Sequence, residues 1–275
     1  MVNADSAQVY RDLRVVTARP TPDEEARAPH RLFGHVDAAD TGHNAARWAG
    51  EARAAVGEAQ AAGRLPILVG GTGLYLRTLI DGIAPVPPMD PAIRAAVRAM
   101  PVGDAHAELA RLDPAGAAAL HRNDTTRVAR ALEVMRSTGR PLAAWQRERA
   151  GGIAGEVRLF AAVLLPPRDW LAARIDRRAA EMVRDGAGEV ARLLTRADVP
   201  PEAPALRAIG VPEMARLVRG EADAADTARA LAASTRRYAK RQGTWFRHQP
   251  PPDWRRLEAT GTSELAAAVE KLLRG

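Results

Sequence analysis

The run Leu65-Pro66-Ile67-Leu68-Val69, stopped by Gly70-Gly71 and followed by LYLRTLI, constrains the fold of this chain more than any other stretch. A continuous apolar run ended by a glycine pair and a helix-favouring segment is the pattern of a buried strand that turns straight into a helix. Upstream, HNAARWAGEARAAVGEAQAAG places Trp48, Ala52, Ala55, Val56 and Ala59 at helical spacing on one face, with Gly63 just past the end. Before that helix, Leu32, Phe33 and Val36 predict a short strand over 31–36. Strand, helix, buried strand, glycine turn and helix is the order of a parallel α/β sheet.

From Pro85 the character changes: PVPPMDPAIRAAVRAM marks a boundary, and HAELARLD, PAGAAALH and RVARALEVMRSTG read as short helices with no strand between them. The apolar VRLFAAVLL, residues 157–165, returns the chain to the sheet. The expected organisation is therefore an α/β core over 1–87 and 156–275, with a helical insertion over 88–155. Further on, Leu171, Ile175, Met182 and Val183 share one face of a core-packing helix. Leu231, Tyr238 and Trp245 recur at seven-residue steps beside Arg236, Arg237, Lys240, Arg241 and Arg247. Those aromatics serve as core anchors or as nucleotide stackers, and the basic strip is a candidate phosphate-binding face.

Composition narrows the function classes. A 275-residue chain that is 47% hydrophobic can bury a substantial core. With no cysteine, disulfides, thiolate metal sites and a cysteine nucleophile are excluded. Six scattered histidines show no metal-ligand spacing, which argues against a structural zinc. No apolar run approaches the about 20 residues of a membrane helix, and no signal peptide is evident, so the expected location is the cytoplasm. Forty Lys and Arg against 33 Asp and Glu give a charge of +7. That charge favours an anionic partner, nucleic acid first, or reflects an Arg-rich genome.

Five constellations carry potential chemistry. Asp5, in NADSAQVY, is a carboxylate at a strand end, able to act as a base or merely to cap the next segment. In VGGTGLY, Thr72 offers a hydroxyl among glycines that let backbone approach a ligand, although a tight turn alone would also use them, and the Lys-Ser/Thr ending of a P-loop is lacking. Arg127 and Arg130 in NDTTRVARALEV lie on one helical face, as phosphate contacts or as solvated charges. Arg207 in LRAIGVPEM precedes a rigid turn and suits bidentate phosphate contact. The strip AKRQGTWFR is the fifth.

The ordered set NADSAQVYRDL, TARPT, PHRLFGHV, GRLPILVGGTGLY, HRNDTTRVARALEV, LRAIGVPEM and AKRQGTWFR resembles the tRNA isopentenyltransferase family from Val2 to about Arg247. The resemblance implies a P-loop nucleotide-kinase-like α/β core with a helical insertion. It implies transfer of a dimethylallyl group from dimethylallyl diphosphate to N6 of the adenosine 3′ of the tRNA anticodon, assisted by Mg²⁺. By that resemblance Asp5 is the catalytic base and Thr72 lies beside the reacting amine and diphosphate, while Asp5, Ser6, Ala7 and Gln8 touch the target nucleotide. The implied tRNA contacts continue through Thr126, Arg127, Val128, Ala129 and Arg130, then Arg207, Ala208, Ile209, Gly210, Val211 and Pro212. They end with Lys240, Arg241, Gln242, Gly243, Thr244, Trp245, Phe246 and Arg247. Gly210-Val211-Pro212 departs from the Gly-Tyr common in the family, which loosens the expectation for that turn.

In the family a strand and a Gly-rich phosphate loop precede the NADS motif. Their absence from this sequence predicts a core lacking its first strand and a donor-diphosphate cradle missing from the site, hence impaired transfer. The expected partners are the tRNA anticodon stem-loop and dimethylallyl diphosphate, with no membrane, and the protein is expected to be a monomer. An RNA-binding remnant without activity, and a small-molecule P-loop kinase relative, are the competing readings; the tRNA-contact motifs disfavour the kinase.

Overall fold

A computed structural model describes residues 1–274 and divides into two compact units, Met1–Arg77 with the chain from Glu156 onward, and Thr78–Gly155. In the first unit β1 (Val2–Asn3) pairs in parallel with β2 (Leu68–Val69), Val2 opposite Leu68 and Asn3 opposite Val69. On its other side Val2 bridges Arg31, and Asn3 N donates to Arg31 O at 3.0 Å. The chain's first residues are thus central, and Val2, Asn3 and Ala4 are fully buried. The helix α1 (Pro22–Arg27) opens with a capping box from Thr21 and Glu24. The longer α2 (Ala45–Ala61) starts at Asn44, whose side chain accepts from Ala46 N and Arg47 N. Of the face its spacing predicts, α2 buries Trp48, Ala52, Ala55 and Val56 and leaves Ala59 half-buried.

Two sheet expectations need correction. The strand over 31–36 is reduced to isolated bridges at Arg31 and Val36, because Leu32 (φ 63°) and Gly34 (φ 57°) adopt left-handed backbone that no strand continues through. The strand expected over Leu65–Val69 is ordered only at Leu68–Val69, since Pro66 has no N–H to pair. Nor is it buried: Leu65, Ile67 and Val69 are 57%, 41% and 47% exposed.

After β2, α3 (Gly73–Asp81) leads into the second unit. There α4 (Pro91–Ala99), α5 (Val102–Leu112), α6 (Pro114–Ala118), α7 (Thr125–Thr138) and α8 (Leu142–Gln146) follow in order. Val97, Leu109, Ala117, Val128 and Leu132 form its core. Asp124 caps α7 and Gly139, in left-handed conformation, ends it. Ile83 pairs antiparallel with Ala150, and Ile153 N donates to Leu79 O at 2.9 Å, so the two ends of the unit are bonded together. This unit begins at Thr78, upstream of the boundary expected at residue 88.

Back in the first unit, β3 (Ala162–Leu164) pairs in parallel with β4 (Arg255–Leu257), a second two-stranded sheet. Between these strands lie α9 (Arg168–Leu194), a 3₁₀ turn (Pro204–Arg207), α10 (Val211–Val218) and α11 (Ala224–His248); α12 (Thr262–Arg274) follows β4. Of the face expected on α9, Ile175 and Val183 are buried while Leu171 and Met182 are half-buried, Ala179 completes the buried stripe, and α9 packs along α11. Two acid–base devices hold the segment after Asp5 to this helical layer. Glu189 accepts the backbone N–H groups of Arg14, Val15 and Val16 at 2.6–3.1 Å. Arg196 bonds Asp12 at 2.8 Å and Asp37 at 2.7 Å. The architecture is α/β, mainly helical, with small parallel sheets.

Candidate active site

The loop after β1 is built on Asn3. Its side chain accepts Asp5 N at 2.8 Å and donates to Asp5 O and Leu32 O at 3.0 and 2.9 Å, so a buried amide turns the chain sharply at Asp5. Asp5 Oδ1 in turn accepts Ala7 N at 2.8 Å. Gln8 Nε2 reaches Thr17 O and Ala18 O at 3.1 and 3.2 Å. Leu32 and Ala18, whose carbonyls receive these amides, are the non-glycine residues with positive φ among those described. Such backbone costs of order 1 kcal/mol at each position, and the amide bonds from the Asp5 loop hold it in place.

The glycine-rich turn closes over this loop. Thr72 N donates to Ala4 O at 3.1 Å, Thr72 Oγ1 accepts Ser6 N at 2.9 Å, and the two hydroxyls lie 3.2 Å apart. A Cβ at Gly70 would sit inside the Ala4 carbonyl, so only glycine permits this approach. From above, α11 seals the turn: Gln242 Nε2 donates to Gly71 O at 3.0 Å, and the Trp245 ring lies where a side chain at Gly73 would go.

Asp5 is half-buried and, with Gln8, Ala18, His30, Phe33 and Gly70, lines a cleft of about 350 Å³. Burial pushes its carboxyl above the ordinary carboxylate range, against the opposing pull of the Ala7 and Gln8 backbone N–H groups. Burial, and then the Asp5 charge, also raise the Tyr238 phenol, while hydrogen bonding to Thr72 and Gln242 works the other way. Tyr238 therefore stands between the Asp5 loop and the glycine turn. In the sequence it is one of two aromatics in a seven-residue series with Leu231; its position one helical turn before the Gln242 that grips Gly71 is the signal that marks it. A carboxylate with raised basicity, two adjacent hydroxyls and a phenol make a site suited to taking a proton from a bound amine or hydroxyl.

The other expected contact residues divide by exposure. On α11, Lys240, Arg241, Thr244 and Arg247 are exposed, and Gln242, Gly243, Trp245 and Phe246 are half-buried. The Arg241 guanidinium lies 5.4 Å from the centre of the Tyr238 ring, which ties the basic strip to the site. Arg207 and Pro212 are exposed, and Ala208 and Ile209 half-buried. Val211 is a correction: at 1% exposure its side chain belongs to the core. Gly210 is buried with φ 103° and its N–H is bonded to Glu213 at 2.9 Å, so it shapes the turn. In the second unit, Val128 and Ala129 are corrected likewise, for both side chains lie in that unit's core, whereas Thr126 and Arg127 are exposed and Arg130 half-buried.

The IPP transferase family profile matches residues 8–249. The tRNA dimethylallyltransferase of Sphingopyxis alaskensis is 61% identical over 257 residues, 93% of this chain and 83% of that protein. That of Novosphingobium aromaticivorans is 51% identical over 274 residues, 100% of this chain and 97% of its own. The crystal structure of the full-length tRNA isopentenylpyrophosphate transferase from Bacillus halodurans superposes with a TM-score of 0.67 at 30% identity, covering 100% of this chain and 86% of the other. With a family match across most of its length and relatives this similar, the chain belongs to the IPP transferase family of tRNA dimethylallyltransferases.

Proposed function

We propose that this chain transfers the dimethylallyl group of dimethylallyl diphosphate to N6 of the adenosine 3′ of the anticodon in tRNA, as a cytoplasmic monomer built on a P-loop-kinase-like core. The observation that carries the reading is Asp5: a carboxylate of raised basicity at a strand end, fixed by Ala7 N and exposed to a cleft. An adenine N6 amine is a weak nucleophile. As its bond to the allylic carbon forms and the carbon–oxygen bond to diphosphate breaks, the amine must lose a proton, and Asp5 takes it. Ser6 and Thr72 hold the edge of the site rigid through their mutual bonds. Tyr238 closes the side toward α11. An extruded base costs a few kcal/mol of unstacking, less in an anticodon loop, and the exposed cations of α11 supply attraction for the flanking phosphates.

Besides Asp5, the side-chain oxygens of the site are the Ser6 and Thr72 hydroxyls and the Tyr238 phenol, and no cluster of three acidic or histidine ligands surrounds Asp5 among the described residues. That donor set fits Mg²⁺ held mainly by diphosphate and water, with Ser6 and Thr72 as its protein neighbours. When bound, Mg²⁺ neutralises charge on the leaving diphosphate.

The test is incubation with dimethylallyl diphosphate, Mg²⁺ and unmodified tRNA, followed by nucleoside analysis. N6-dimethylallyladenosine is expected, lost in Asp5→Asn with tRNA binding retained. Replacing Lys240 and Arg241 by Ala is expected to weaken binding and lower the slope of log affinity against log salt by roughly 1 to 2. Binding without product from the parent chain would leave only an RNA-binding role, and product undiminished in Asp5→Asn would remove Asp5 as the base.

A further inference from the structure

Away from the Asp5 cleft, the fold gathers three donors that are scattered in the sequence. His35 comes from the irregular chain after Gly34, His43 from the residue before the α2 cap, and Glu51 from the second turn of α2. Their ligating atoms all lie within 4.8 Å of one another. Glu51 Oε2 is the focus: His35 Nε2 is 2.9 Å from it and His43 Nε2 3.3 Å. We propose that His35, His43 and Glu51 form a binding site for a divalent transition metal of the zinc class, distinct from the Mg²⁺ of the transfer reaction.

Two imidazoles and one carboxylate are a known donor set for Zn²⁺, whose bonds of about 2.0–2.2 Å place donors ~3.3 Å apart around a tetrahedron, with water in the fourth position. The two nitrogen-to-oxygen separations, 2.9 and 3.3 Å, lie close to that figure, and no two of the three donors are more than 4.8 Å apart. The surroundings prepare it. Arg47 Nε holds the other carboxylate oxygen, Glu51 Oε1, at 3.1 Å, and is itself neutralised by Asp40, which leaves Oε2 directed at the histidines. Tyr75 OH lies 3.5 Å from His43 Nδ1, which directs Nε2 toward Glu51. His35 Nδ1 is buried with no partner, so the ring is held only through Nε2 and is free to reorient onto an ion. Nitrogen donors select against Mg²⁺, which takes oxygen ligands.

Bound metal would join the connection before α2 to α2 itself, whose Trp48 stacks on Tyr75 at 4.4 Å and donates to Asn3 O at 2.9 Å beneath β1. The ion would thus be structural, and occupancy would stabilise the fold by mass action.

The whole chain, stripped with a chelator, is titrated with Co²⁺ under visible absorption and then with Zn²⁺ by calorimetry. One equivalent of Co²⁺ is expected to give the intense bands of a four-coordinate site, displaced by Zn²⁺ and unmoved by excess Mg²⁺, with Zn²⁺ raising the melting temperature. His35→Ala and Glu51→Gln change half-exposed residues and are expected to keep the parent circular dichroism while weakening Zn²⁺ by about 100-fold or more. His121→Ala, an exposed residue of the second unit, is expected to change nothing. No Zn²⁺ or Co²⁺ binding by the parent chain, or affinity unaltered in both His35→Ala and Glu51→Gln, would overturn the site; either outcome leaves the prenyl-transfer reading intact.

Discussion

A carboxylate half-buried at a strand end works against the fold that holds it. Because burial raises the Asp5 pKa, the folded state binds a proton more tightly than the unfolded chain in the window between the ordinary carboxylate value and the raised one. The penalty is absent below that window, grows as pH rises through it, and is fully present above. Asp5→Asn keeps an oxygen for Ala7 N and removes the charge, so at neutral pH it is expected to melt at or above the parent temperature while losing transfer activity. Melting curves from pH 4 to 8 check this: the parent should lose ground to the variant as pH rises, and a variant that melts lower throughout would show that the ionised form is stabilised instead. Thr72 makes a different claim, since its hydroxyl is the partner of Ser6 N. Thr72→Ala is expected to cost about 1–3 kcal/mol in chemical denaturation by stranding that N–H, and Thr72→Ser to restore most of it. Asp5 and Thr72 are legible in the sequence because each stands next to residues whose local backbone habits mark a loop. Tyr238 is not, because seven-residue spacing looks the same whether a ring faces a core or a site. The His35, His43 and Glu51 cluster is equally invisible: linear spacing scatters its members, and only the path of the chain into α2 unites them.

At the scale of elements, helices are written locally and the short strands here are not. The α2 boundaries follow from Asn44 at one end and Gly63 beyond the other, and its buried face from simple periodicity. The stretch 31–36 has strand-like residues, yet two left-handed residues break it, one bonded at its carbonyl by the Asn3 amide and the other donating its N–H to Gln8 O, both partners far upstream. β4, with the sequence Arg-Arg-Leu, has no alternation to read and exists because β3 offers it a ladder. Glycine shows the same contrast between local and tertiary causes. At Gly57, inside α2, an added Cβ meets nothing, so Gly57→Ala is expected to stabilise by about 0.5–1 kcal/mol. At Gly70 the same methyl group collides with the Ala4 backbone, so Gly70→Ala is expected to destabilise by about 2 kcal/mol or more and to abolish transfer, as β1 and β2 are forced apart. Denaturant midpoints of the two variants moving the same way would contradict this account of the turn.

At the scale of the whole molecule, the division at Thr78 and Gly155 gives each unit its own core. The second unit buries Val97, Leu109, Val128 and Leu132 among its own helices, and closes its ends with the Ile83–Ala150 pairing and the Ile153–Leu79 bond. The members of that core cluster all lie within 78–155. A domain of roughly 80 residues draws about 3–5 kcal/mol from such a core, enough to stay folded and too little to survive a large cavity. The segment 78–155 made alone is therefore expected to show helical circular dichroism and one cooperative melt. Leu132→Ala, which empties a fully buried position at a cost of about 2–5 kcal/mol, should leave it largely unfolded. In the intact chain the same reasoning predicts two transitions. Leu132→Ala is expected to lower one, and Val190→Ala, in the α9 core of the first unit, to lower the other. A single calorimetric transition moved by both substitutions would show that the two cores unfold as one, and would refute the independence argued from their contacts.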